Sequence, residues 1–451
     1  MTKSRIAKCV ERVVDAASPE RLVAGLFVLF VLGATVSPAI TVLQQGRLAP
    51  DVPVADSVAA GRAELVMWLL YIALVLGAIF VGVLRLWVRR GNVGDVAGFA
   101  LVAILLVLAQ VARVVDTGAL TPSRPAAVVL LTALAIWLLD PPSRIMSVLG
   151  WIGAAVAVSS LVLAVTSDVA WIDPSDWGAP TKAVYGSNLL AGFYSHENTL
   201  GMMLVLALPF VWHACAGRLR AIATIAVVAA LLLTASRTSL IALVVLCVAT
   251  VAALVVGPRV GRVLMVATIL SAVASGVVVT SVVGKAAFSE RGTIWALAGG
   301  AWDSAPWLGR GPYAFSRDTP LSESLETTMG YLINHGHNTY ITTRTELGLL
   351  GVAVVLALLV HLVRKCATYF PTNPAPLRFM LVIAVLGVLE TPLRLDTVME
   401  QSWIAWGGLL MIACTSLRSS GEAPSRRPGR SADLRPPVER RDEGADAPAR
   451  R

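Results

Sequence analysis

The sequence predicts an all-α polytopic membrane protein with about twelve transmembrane helices. Three observations carry that prediction. Apolar residues make up 56% of the 451-residue chain and charged residues 14%, well below the roughly 25% charged share of soluble domains. Runs of about 20 apolar residues recur along the chain, each long enough to cross a bilayer as a helix. Lys and Arg also crowd into alternate connections between those runs, as they do on the cytoplasmic side of membrane proteins.

The runs fall at roughly 22–43, 65–88, 95–113, 125–140, 145–166, 189–215, 220–235, 238–256, 262–284, 346–363, 377–393 and 402–417. The first, Leu22 to Leu43, lacks a small-residue cleavage pattern and is long enough to stay as an anchor, so it reads as a span and not a removed signal. The cation-rich connections include Lys3, Arg5 and Lys8, then Arg85 and Arg89, Arg218 and Arg220, and Arg364, Lys365 and Arg378. The intervening ones are poorer and include Arg47, Arg62, Arg113, Arg124, Lys182, Arg237 and Arg394. The first set is therefore expected in the cytoplasm together with both termini, in a multi-pass protein of the cytoplasmic (inner) membrane. The chain divides into a cytoplasmic N-terminus 1–21, N-terminal helices 22–184, a second helical block 185–417 containing a long outer loop 285–344, and a tail 418–451.

The tail, "RSSGEAPSRRPGRSADLRPPVERRDEGADAPARR", mixes Pro, Gly, Ser and both charge signs without apolar periodicity, so it is expected to be disordered, cytoplasmic and close to anionic membrane lipid. The net charge of +9 is then mostly the cytoplasmic cation excess plus this tail, and nucleic acid is not expected as a partner. Five cysteines, Cys9, Cys215, Cys247, Cys366 and Cys414, are odd in number and show no paired spacing, so neither a disulfide framework nor a zinc site is expected.

Two outer connections are unusual. Ser167 to Asn188 holds Trp171, Trp177, Asp168, Asp173 and Asp176. Lys285 to Arg344 is about 60 residues long, too long for an idle connection. Within it, Ile294, Leu297, Ala298, Ala301 and Trp302 recur at helical spacing, which predicts a short helix lying on the outer interface with tryptophans at headgroup depth. The loop charges alone send every polar cluster to that same side: "FYSHENTLG" (193–201), "ASRTS" (235–239), "SERGTIW" (289–295), "WLGRGPYAF" (307–315) and "NHGHNTY" (334–340). The inner side offers only basic, featureless turns and the tail, so the chemistry is expected outside.

Each polar residue has a plain reading beside a functional one. Arg237 either snorkels from a tight turn or, with Ser236, Thr238 and Ser239 at a helix start, holds an oxyanion such as phosphate. Arg291, at the predicted start of the interfacial helix, is either a solvated charge or a second anion ligand, and two guanidiniums on one ligand suit a diphosphate. Gly309 and Gly311 make a turn that also permits close backbone approach to a ligand. His335 and His337 are either loop residues or, for a neutral His337 beside Asn338, a proton acceptor for a hydroxyl. A metal held by His335, His337 and His196 is disfavoured, because no carboxylate or cysteine follows at ligand spacing. Thr343 and Glu346 fit a capping box, which makes Glu346 a helix starter. Arg344 either binds an anion or anchors its span. Asn198 and Gly201 suit helix entry and close packing. The cluster "ETPLRLDTVME", with Glu390, Arg394, Asp396 and Glu400, is expected to pair internally and is assigned no role.

Taken in order, "GFYSHENTLG", "LLLTASRTSLIAL", "RGTIWALAGGAWDSAPWLGRGPYAF" and "HNTYITTRTELGLLG" resemble the O-antigen ligase and polymerase superfamily (Wzy/WaaL-like) over roughly residues 185–415. The resemblance implies a metal-independent, cofactor-free GT-C-type membrane glycosyltransferase. Such an enzyme takes a glycan from a polyprenyl-diphosphate carrier on the outer face and gives it to a glycan, lipid or protein acceptor. By the same resemblance Arg237 and Arg291 hold the diphosphate, His337 is the catalytic base, and Asn198, Gly201, Gly309, Gly311, His335 and Asn338 support the site. His196 and Glu197 match no fixed position of the family and receive no role. Two rival readings remain. A transporter of lipid-linked glycan or another anionic solute predicts charge in mid-span and broken helices in repeated halves, whereas charge in this sequence gathers near the outer ends. A peptidoglycan-type glycan polymerase would depend on an outer acidic residue in place of the histidine.

Overall fold

A computed structural model describes residues 17–45, 58–89, 93–120, 122–173, 188–316, 319–330, 333–397 and 402–417. The expected cytoplasmic N-terminus lies mostly outside these residues, the tail 418–451 entirely so, and Trp177, Asp176 and Glu400 fall outside them as well. The described chain is almost wholly helical. In order its helices are α1 (Pro19–Gln45), α2 (Val58–Arg89), α3 (Val96–Thr117), α4 (Arg124–Leu139), α5 (Ser147–Thr166), α6 (Glu197–Ala214), α7 (Gly217–Thr234), α8 (Arg237–Val256), α9 (Pro258–Val282), α10 (Ala287–Asp303), α11 (Pro320–Met329), α12 (Thr339–Tyr369), α13 (Ala375–Leu386) and α14 (Ser402–Cys414). A two-residue antiparallel ribbon pairs β1 (Trp171–Ile172) with β2 (Leu189–Leu190) and closes the connection before α6.

Helices α1, α2, α3, α5, α7, α8, α9 and α12 contain stretches long and apolar enough to cross a membrane. Their outward faces carry exposed Leu65, Leu69 and Phe80 on α2, Val244, Val248 and Leu254 on α8, and Val263, Leu270 and Val278 on α9, as a hydrocarbon solvent requires. The other four expected spans coincide with shorter or more polar helices: α4, α13 and α14 have 16, 12 and 13 residues and α6 has 18. These sit inside the bundle. Residues 200–211 of α6 and every residue of α14 are buried, so their all-round hydrophobicity reflects protein neighbours on every side. At about 1.5 Å per residue, α13 covers only ~18 Å of a ~30 Å hydrocarbon layer. The expected span 377–393 therefore ends early, at Leu386. Pro392 cannot continue a helix, and residues 387–397 turn back into the bundle as irregular chain, which lipid tolerates only when protein surrounds it.

Two further expectations change. Helix α12 is broken at Gly348, φ +62° and ψ −162°, so a piece beginning close to the expected 346 is preceded by a first piece from Thr339, which Asn338 caps: its Oδ1 accepts from the Ile341 N–H at 2.9 Å. Thr343 and Glu346 thus lie within the helix, Glu346 is buried, and the Thr-x-x-Glu pattern is not the cap. Helix α10 exists as predicted but does not lie free on an interface. Ile294, Trp295 and Ala298 are buried against Phe315, Leu325 and Ile341 in a second small core, so Trp295 is a core residue and not a headgroup anchor.

Candidate functional site

Glu390, in the irregular chain after α13, is the residue on which the site converges. Its carboxylate is 4% exposed and accepts a hydrogen bond from Arg291 Nη2 at 2.7 Å through Oε1. The other guanidinium nitrogen of Arg291, Nη1, donates to the Leu389 carbonyl next door. Oε2 lies 3.3 Å from His337 Nδ1 and 3.7 Å from His335 Nε2. The two imidazoles are packed with centroids 4.0 Å apart. Helix α10, the 334–338 turn and the chain after α13 thus meet on one carboxylate.

Local structure explains why the turn holds still. Asn338, 0% exposed, caps α12 with its Oδ1 and uses Nδ2 to donate to the Gly276 carbonyl at 2.9 Å and the Val388 carbonyl at 2.8 Å. Trp295 Nε1 donates to the Gly336 carbonyl at 2.9 Å, and the Gly336 N–H donates to Thr342 Oγ1 at 3.1 Å. His337 itself has φ +47°, a left-handed conformation that costs a non-glycine residue roughly 1–2 kcal/mol and persists only where its surroundings impose it. The strain aims its ring at Glu390.

The electrostatics follow. Burial pushes the His337 pKa down, Glu390 opposes this by hydrogen bond and charge, and Arg291 and His196 lower it further, so the imidazole is held neutral below its usual range. Burial and the neighbouring His337 take His335 down to about 3 despite Glu390. Burial alone would raise Glu390, but bonds from both histidines and the charge of Arg291 outweigh it and keep the carboxylate well below its ordinary range, ionised. A neutral imidazole whose Nδ1 faces a carboxylate carries its proton there and leaves Nε2 as an acceptor. His335, His337 and Glu390 also offer ligand atoms within 4.8 Å of one another. The expectation that no carboxylate stands at ligand spacing from these histidines is thereby corrected, because Glu390 reaches them across the fold; Arg291 shares the same carboxylate through its other oxygen, Oε1.

The remaining predicted residues lie at the same end of the bundle, in different roles. Arg237 opens α8 and is exposed; next to it Ser236 Oγ donates to Ser239 Oγ at 2.9 Å. These serines pack on Gly201, where an added Cβ would lie 2.7 Å from the Ser236 Cβ. Asn198, in the first turn of α6, donates its backbone N–H to His196 Nδ1 at 3.1 Å. The start of α6 thus meets the Arg237 corner through the packing of Gly201 on Ser236. Gly309 and Gly311, at φ +70° and +76°, serve packing: in their turn the Arg310 N–H donates to the Thr345 carbonyl and the Gly311 N–H to the Glu346 carbonyl of α12, both at 2.8 Å. Arg344 stacks on Trp302 and Tyr340, 4.7 and 5.3 Å from their ring centroids, and so anchors the loop. Glu390 does not pair with Arg394, which binds Asp396 instead. Sequence reading missed Glu390; the only available signal was an acidic residue directly after a short apolar run and before Pro392.

An apolar cavity of about 380 Å³ adjoins this cluster. Thr339, Tyr340 and Gly387 line its near end, and Leu356, Leu359 and Leu362 carry it down α12 between α9, α13 and Trp406. The Thr339 hydroxyl donates to the Glu390 carbonyl at 3.3 Å, so the cavity begins where the charged cluster stops.

The sequence profile of the family described as O-antigen ligase matches residues 221–356. This match supports membership of the O-antigen ligase/polymerase superfamily. The matched stretch takes in Arg237, Arg291, Gly309, Gly311, His335, His337 and Asn338, and leaves out Asn198, Gly201 and Glu390. The match covers less than half of the chain and shows similarity to that family over this stretch. No curated protein matches the chain. The expectation that the inner side is featureless is corrected. At that end Asp95 accepts from Lys365 Nζ and lies against His361 Nε2, each at 2.7 Å, and Lys365 also donates to the Ile412 carbonyl at the end of α14.

Proposed function

We propose that this protein is a membrane glycosyltransferase. It moves a glycan from a polyprenyl-diphosphate carrier to an acceptor hydroxyl at the outer face of the cytoplasmic membrane, without metal or cofactor and with inversion at the anomeric carbon. The observation that carries this reading is the joining of a half-buried His337 to the buried Glu390, and of Glu390 to Arg291, at the head of an apolar cavity.

In this mechanism the carrier's polyprenyl chain lies along α12 in the cavity and its diphosphate stands at the charged end. Arg237, exposed at the start of α8, and the remaining N–H groups of Arg291 take the diphosphate oxygens and stabilise the charge that grows as the glycosyl bond breaks. His337 Nε2 removes the proton from the acceptor hydroxyl, whose oxygen attacks the anomeric carbon opposite the departing diphosphate. The imidazolium that results faces Glu390, which fixes the tautomer and offsets the new charge in the way a carboxylate supports the histidine of a hydrolase triad. A polymerase hands the glycan to another repeat unit and a ligase to a lipid or protein, and the site residues serve either outcome.

A second reading is supported by Glu390 itself, since a peptidoglycan-type polymerase would use an acidic base. Both oxygens of Glu390 are engaged and its basicity is held down, which favours the imidazole. The transporter alternative would rest on the break in α12 at Gly348, with φ +62°. There an added Cβ would lie 2.3 Å from the Trp307 carbonyl carbon, so the break serves as a seat for the loop. The test is transfer in vitro by purified protein from a polyprenyl-diphosphate glycan in the presence of a chelator. Inverted product with free polyprenyl diphosphate is expected. Intact donor carried across a vesicle membrane without transfer would favour the transporter.

A further inference from the structure

The end of the bundle away from His337 contains a second cavity, of about 460 Å³. Three helices fix its position. Helix α6 starts beside the histidine cluster and runs about 27 Å over its 18 residues to Trp212 and His213 at the cavity. Helix α8 starts at Arg237 and reaches it at Thr250 and Leu254; Asn373, just before α13, and Arg378 within α13 line it, and α13 ends at Leu386, just before Glu390.

Among the described residues the cavity is lined by two arginines, Arg220 and Arg378, together with His213, and by no acidic residue. Arg220 Nε donates to the Cys215 carbonyl at 2.7 Å, and among the described residues its terminal nitrogens make no further hydrogen bond. The Arg378 guanidinium rests 5.4 Å from the Trp212 ring centroid, and its Nε is buried without a partner. Asn373 spends its Oδ1 on the Ala375 N–H at 3.1 Å and leaves a buried, unpartnered Nδ2. Arg220 itself is exposed, but the buried Arg378 Nε and Asn373 Nδ2 have no partner among the described residues and are costly unless an acceptor such as an anion joins them, and two neighbouring guanidiniums match the oxygens of a phosphate. The side of entry identifies the rest of the ligand. Leu254 lines the cavity and is 75% exposed on the lipid-facing flank of α8, continuous with exposed Val255.

We propose that this cavity binds the phosphodiester of an anionic phospholipid from the leaflet at that end, its acyl chains lying along α8. On the charge distribution of the connections, that leaflet is the cytoplasmic one, where basic pockets between helices take anionic headgroups. The site stands apart from the transfer chemistry, and its test needs no activity.

Full-length protein in detergent is titrated with phosphatidylglycerol and with phosphatidylcholine of the same acyl chains, and bound lipid is counted by native mass spectrometry. One phosphatidylglycerol is expected, with a preference of roughly 30-fold, about fivefold for each arginine. The Arg220→Gln/Arg378→Gln variant is expected to lose the preference, and Arg220→Lys/Arg378→Lys, which keeps the charge, to retain most of it. Equal retention of the two lipids by the wild type, or an undiminished preference in the Gln variant, overturns the proposal. So does millimolar inorganic phosphate that displaces the lipid and matches its thermal stabilisation, because the ligand is then a free anion.

Discussion

Replacing Glu390 by Gln removes one charge while preserving shape, and its effect can be worked from the contacts. The carboxylate holds Arg291 at 2.7 Å and faces His337 Nδ1 at 3.3 Å. In the transition state His337 becomes an imidazolium, so the His337–Glu390 contact turns from a neutral donor on a carboxylate into a charged pair. Loss of one such charge-assisted bond is worth about 1.5–3 kcal/mol, which at 1.36 kcal/mol per decade predicts a fall of roughly 10- to 150-fold in kcat/KM. The amide can also present its NH2 to the ring and favour the wrong tautomer, which adds to the loss. Glu390→Asp keeps the charge but withdraws it by about one C–C bond, ~1.5 Å, and should fall between wild type and Gln. The assay is transfer by purified protein from a polyprenyl-diphosphate glycan at several pH values. A Glu390→Gln enzyme with wild-type kcat/KM and a wild-type pH profile would refute the reasoning.

The pH profile supplies a second prediction. Because burial holds His337 below its usual pKa, the acidic limb of kcat/KM should lie below pH ~6.5. Arg291→Gln removes a lowering influence and should move that limb to higher pH, whereas Glu390→Gln removes a raising one and should move it lower; shifts in the same direction would contradict the assigned couplings. Asn338→Ala deletes a helix cap worth roughly 0.5–2 kcal/mol and two buried hydrogen bonds worth about 1 kcal/mol each. A thermal melt in detergent should show a loss of about 2–4 kcal/mol, with activity falling further because the His337 turn loosens. At Gly309, φ +70° and an ideal Cβ 2.4 Å from the Glu346 carbonyl carbon predict that Gly309→Ala lowers the yield of monodisperse protein. Gly300→Ala, whose Cβ would meet nothing within 4 Å, should be neutral or stabilising by up to ~1 kcal/mol in the same preparation.

The long spans were legible because lipid demands apolar length, and α2, α8 and α9 show their apolar residues outward for that reason. The interior helices were harder to bound. Helix α13 is as hydrophobic as a span but stops at Leu386, since Pro392 and the turn at Gly387 send the chain inward. The start of α12 was obscured by its polar first turns, which hydropathy assigns to a loop. They are helical because Asn338 caps them and Thr342 bonds Thr391 at 2.9 Å. His337 and Arg291 stood out in the sequence because titratable residues beside apolar runs are conspicuous. Glu390 did not, because its meaning lies in partners 53 and 99 positions away and it sits among Arg394 and Asp396, which pair with each other locally. The Arg220–Arg378 cavity was hidden for the same reason: each arginine alone reads as one more cation of the inner turns.

The central claim is that His337 removes the acceptor proton in glycan transfer from a lipid diphosphate. The most direct measurement is mass spectrometry of lipid-linked glycan and finished product in cells carrying His337→Ala at wild-type membrane abundance. The claim predicts that polyprenyl-diphosphate glycan accumulates and the product disappears. Normal product with no accumulated donor would contradict it.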